Sequence, residues 1–101
     1  MLTPKTRTVS ATVGSNPNTL WEELATGLLK SLIMTHSSSS AVAVTLQHTH
    51  NSVTATLLNA LEIPPDGVLQ WDCQMVLENG DELTLTVADT VTVHLTWAEE
   101  A

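Results

Sequence analysis

The chain has 101 residues and a formal net charge of −8, from 11 acidic and 3 basic side chains, and only 14% of its residues are charged. This length builds one hydrophobic core. The three cations, Lys5, Arg7 and Lys30, are too few to displace counterions from a nucleic-acid backbone or to hold an anionic membrane surface.

Apolar residues make up 43% of the chain, which excludes disorder throughout, and no apolar run approaches the about 18 residues that cross a bilayer. Threonine occurs 16 times and valine 10 times, while Phe and Tyr are absent. Branched β-carbons favour strands. The single cysteine, Cys73, permits no intrachain disulfide and no all-cysteine metal site, which suits a reducing compartment.

From Thr6 to Val13 the chain alternates, with Val9, Ala11 and Val13 on one side and Thr8, Ser10 and Thr12 on the other. That period predicts a half-buried strand. Residues 1–18 are expected to form an N-terminal strand or arm, and residues 19–101 a β-sandwich domain. The segment Thr19 to Leu29 admits two readings. Thr19 and Glu22 have capping-box spacing, and Leu20, Leu24 and Leu28 lie four apart, which together suit a short helix near residues 19–27. The rival is a short strand around Leu20 and Trp21 followed by a loop. Leu28 to His36 reads as a strand ended by Ser37–Ser40.

Val42, Val44 and Leu46 share one face of the next strand. Thr49–Ser52 reads as a loop, and Val53, Ala55 and Leu57 resume the alternation. Pro64-Pro65-Asp66-Gly67 is a turn, since two prolines cannot occupy a central strand. Leu69 and Trp71 mark one strand face and Met75–Leu77 a further extended piece. Asn79-Gly80 is a hairpin signal, because both residues tolerate positive φ. Leu83, Leu85 and Val87 precede a turn at Asp89-Thr90, and Val91, Val93, Leu95 and Trp97 close the series. Seven or eight short strands with no long helical crossovers predict an all-β fold, a compact antiparallel β-sandwich or jelly-roll-like architecture.

No constellation commits to catalysis. His48 and His50 share a strand face, yet a metal site needs a third ligand and no H-E-x-x-H spacing exists. The pair reads as solvent-facing or interface histidines. Cys73 has no basic neighbour in sequence to lower its pKa, and a trio of Cys73, His94 and a carboxylate would require convergence in space. Glu78, Asp81 and Glu82 read as a solvated turn. Trp71 and Trp97 alternate with leucines and belong in a core. No cofactor, metal or catalytic residue is predicted.

The order Thr19-Leu20-Trp21, then Ser31-Leu32-Ile33 through Ser37–Ser40 to Ala41–Leu46, then Ile63–Gly67 and Val76–Leu83, resembles small tailed-bacteriophage virion proteins over residues 19–97. The resemblance implies a β-sandwich adaptor, decoration, neck, tail or fibre-associated component of the virion. It would be made in the bacterial host cytoplasm and would work by contacts with other phage structural proteins and with its own copies. It implies neither cofactor nor catalysis, and no direct nucleic-acid or membrane partner. The expected contact residues are Leu2, Val9, Trp21, Leu24 and Leu28, from the least sandwich-like region. The alternative is a receptor- or carbohydrate-binding β-sandwich module using Ser37–Ser40 and Thr49–Ser52.

Overall fold

A computed structural model describes residues 2–22, 26–72 and 74–100. Among them run nine strands: β1 (Leu2–Ala11), β2 (Asn18–Glu22), β3 (Gly27–Thr35), β4 (Val42–His50), β5 (Val53–Ile63), β6 (Val68–Trp71), β7 (Met75–Leu77), β8 (Glu82–Val87) and β9 (Val91–Glu100). A 3-10 turn, Val13–Ser15, joins β1 to β2. The fold is all-β, and every pairing is antiparallel.

The topology is a folded ribbon. Its tip is the β4–β5 hairpin, and moving outward β3 pairs with β6 and β7, β2 with β8, and β1 with β9. The ribbon is rolled so that β3 also pairs with β9 and β4 with β8. Two sheets result: β1-β9-β3-β6 with β7 also on β3, and β2-β8-β4-β5. This wrapping is that of a jelly roll.

The core lies between the sheets. Leu29, Leu32 and Met34 of β3 and Val93, Leu95 and Trp97 of β9 face Val42, Val44 and Leu46 of β4 and Leu83, Leu85 and Val87 of β8. The strict alternation of β4, β8 and β9 is what places them. Bulges explain the departures. Between Thr19 and Trp21 the register with β8 slips by one, so Leu20 and Trp21 are consecutive and both fully buried. The short-strand reading of this segment therefore holds over Asn18–Glu22 and corrects the helix expected near residues 19–27, whose positions 23–25 lie outside the described residues. A second slip between Leu29 and Ser31 lets Lys30 stay exposed inside an otherwise apolar strand.

Two predicted boundaries move. Val13 leaves the β1 alternation and is exposed in the 3-10 turn. Asparagines hold that crossing: Asn18 donates to the Thr12 and Leu85 carbonyls and accepts from the Thr12 N–H. Asn16 exchanges two bonds with the Val87 backbone, at 2.9 and 3.0 Å, as a paired strand residue would. The β4–β5 connection is tighter than the expected loop. Strand pairing runs to His50↔Val53, and Asn51 and Ser52 alone turn the chain, with φ of 49° and 64°.

Candidate functional site

The alternation that sends Val42, Val44 and Leu46 inward continues to His48 and His50, so both imidazoles point into one end of the sandwich. They meet Asp81, which the Glu78–Asp81 turn delivers to the same end. The Asp81 side chain is only 2% exposed. It accepts a bond from His48 Nε2 at 2.8 Å on one oxygen and from His50 Nδ1 at 2.6 Å on the other. The Glu78 backbone N–H adds a third bond at 3.0 Å. Glu78 also places Oε2 3.7 Å from His50 Nε2.

Burial opposes ionisation of Asp81, but the bonds from His50, the Glu78 N–H and His48 outweigh it and hold the carboxyl below its ordinary value. The bond to Asp81 is the chief cause that raises His50, with the Asp81 and Glu78 charges adding to it. The expectation of a solvated Asp81 is thereby corrected, and His48 is largely covered, with 18% of its side chain exposed, while His50 faces solvent in part, with 42% exposed. The missed signal was parity: a histidine pair on the inward side of a strand requires a buried acceptor, and the Asn79-Gly80 turn aims the nearest acid at it.

The cluster is built as a clamp. It ties the β4–β5 turn to the β7–β8 turn. No hydroxyl or thiol of the described residues bonds either imidazole, and no group of three or more His, Cys, Asp or Glu side chains among them has metal-binding geometry. His36 is likewise structural. Its Nδ1 accepts from the Ser38 N–H at 3.2 Å, so its Nε2 carries the hydrogen given to the Pro64 carbonyl at 2.6 Å. His94 sits on the outer face of the five-stranded sheet, 3.1 Å from the Thr8 hydroxyl. Cys73 lies outside the described residues.

The expected contact residues separate. Trp21 is fully buried, 3.5 Å from where a Cβ on Gly27 would stand, so it is core and presents no surface to a neighbour. Val9 is half-buried beneath the five-stranded sheet. Leu24 lies outside the described residues. Leu2, 49% exposed, and Leu28, half-buried, are both on outward positions of the five-stranded sheet. The two loops of the binding-module reading lie at opposite ends of β4 and cannot make one site. Ser37–Ser39 instead line an open hollow with Thr35, Asp89, Thr90 and Thr92.

A scan of family models finds no match, and neither does a search of curated proteins. Among solved structures, the chain is similar to the infectious bursal disease virus VP2 subviral particle, with TM-score 0.52 and 9% identity, over 95% of this chain and 32% of that one. It is similar in the same way to the structure of the Gx strain of that virus, with TM-score 0.51 and 7% identity, over 95% of this chain and 33% of that one. The chain thus spans about a third of the length of those proteins. These matches correct the resemblance to tailed-bacteriophage proteins and, with it, the bacterial host cytoplasm as the place of synthesis, because neither structure is of a phage. What the matches establish for this chain is the jelly-roll fold.

Proposed function

We propose that this chain is a non-enzymatic structural unit of a virus particle, acting through protein–protein contacts between copies. The observation that carries the reading is the match of 95% of the chain to the fold of an infectious bursal disease virus particle protein. Composition supports it, since a surface poor in charge suits burial against neighbours. The clamp supports it too: the titratable groups drawn together at the histidine end are used up on one another, and among the described residues no hydroxyl or thiol bonds them.

The test is assembly. Purified protein should sediment above the 10.8 kDa of one chain and show regular particles or rings by negative-stain microscopy. A monomer at every concentration reached would overturn the reading.

A further inference from the structure

The two outer faces of the sandwich differ in charge. On the four-stranded sheet, Glu22 and Glu82 pair across strands and Glu62 stands opposite Ala43. On the five-stranded sheet the outward positions are Thr6, Thr8 and Ser10 of β1, Thr92, His94 and Thr96 of β9, Ser31, Ile33 and Thr35 of β3, and Val68 and Gln70 of β6. By register Glu100 also stands at an outward position, opposite Leu2 at the end of β9, and is the one carboxylate among the described strand residues of this face. Lys30 is exposed at the β3 bulge, and Asp72 and Asp89 lie in the connections at the rim. At the histidine end, Pro4, Ala98, Leu28 and Val76 are cross-strand partners and form an apolar row through β1, β9, β3 and β7. Val76 is 55% exposed, and Leu2 lies beyond the row at 49%.

We propose that this face docks on a second copy of the same chain, the proposal resting on the structural-unit reading above. Copies that each carry a net charge of −8 repel wherever their carboxylates meet. The five-stranded face, with Glu100 at its end against Glu22, Glu62 and Glu82 on the other sheet, is where they approach at the lowest cost. Threonine and serine hydroxyls lose little on partial desolvation when they bond across a contact, and the apolar row supplies a dry strip at the histidine end of the face. Size is adequate. β1 and β9 have 10 residues each and β3 has 9, and β6 with 4 and β7 with 3 share the far edge of β3, so at about 3.4 Å per residue and about 4.8 Å between strands the face presents about 600 Å² per copy and a pair buries about 1,200 Å². A specific contact needs about 1,000 Å².

The experiment is sedimentation equilibrium of the full chain with two double variants of equal charge. Gln70→Glu with Val76→Glu places two carboxylates on the proposed face. Gln47→Glu with Thr86→Glu places two on the outer face of the four-stranded sheet. The face variant should associate at least about tenfold more weakly than wild type, with unchanged β-sheet circular dichroism, while the control keeps the wild-type mass. If the double variant loses its β signal, the isosteric Gln70→Glu alone carries the comparison. Wild-type assembly that the face variant leaves intact, or that both variants weaken equally, overturns the face and spares the structural-unit reading. A monomeric wild type overturns both.

Discussion

Trp21→Ala separates a packing residue from a contact residue. The indole is fully buried between the sheets, opposite Leu83 on β8, and it and Trp97 both come within 4 Å of where a Cβ on Gly27 would stand. Truncating it removes the largest fully buried side chain and leaves a cavity that two hydrogen-bonded sheets cannot collapse into. Loss of a buried tryptophan costs about 3–5 kcal/mol. A domain of this size has a total stability of about 5–15 kcal/mol, so the thermal midpoint should fall by on the order of 15–30 °C. The assay is urea and thermal unfolding followed by circular dichroism, at several protein concentrations. Trp97→Ala, 5% exposed, should behave alike. Trp21→Phe keeps an aromatic ring and deletes an N–H that finds no partner among the described residues, and should lose less than about half as much. An unchanged midpoint in Trp21→Ala together with a lower assembled mass would refute the core placement.

Asp81→Asn should flatten the dependence of stability on pH at both ends. The Asp81 carboxyl is held below 3.8 in the fold, so its contribution is present above that value and is lost as pH falls through the lower folded pKa. His50 is held above 6.5, so its contribution is complete below 6.5 and is lost as pH rises through the higher folded pKa. Both act together between 3.8 and 6.5, and unfolding midpoints across pH 3 to 9 should show wild type losing its advantage over the variant on either side. Equal slopes in the two proteins would discard the clamp. Gly80→Val places a branched side chain at φ of 86°, which costs about 1–2 kcal/mol although nothing lies within 4 Å of the new Cβ. Gly80→Asn, which tolerates that φ, should recover most of the loss; a valine variant as stable as wild type would dismiss backbone strain at this turn.

Strand alternation was legible wherever neighbours were regular. Val42 to Leu46, Leu83 to Val87 and Val91 to Trp97 lie where their period of two places them. The segment around Trp21 was ambiguous for a physical reason: a bulge puts Leu20 and Trp21 both inside, so the period breaks where the strand is most buried. The same effect hid the outer half of β5, where slips beside Leu46 leave Leu57 and Leu58 both half-buried and Ala60 at φ of 49°. The site was half legible. His48 and His50 stood out as a pair, but their acceptor lies more than thirty positions along the chain, brought near only by the pairing of β4 with β8. The outer face was invisible to local patterns, because its charge asymmetry exists only after four distant segments are laid side by side.

The ladder between β1 and β9 carries a consequence for biogenesis. Leu2 is matched to Glu100 and Ala11 to Val91, so β1 has no native mate until residues 91–100 have been synthesised. β3 waits for the same mate along its other edge. Such distant pairings make folding slow relative to helical proteins of equal size, and leave Leu29, Leu32 and Met34 uncovered in the meantime. Pro4, Lys5 and Arg7 on the waiting first strand discourage premature edge-to-edge association during that interval.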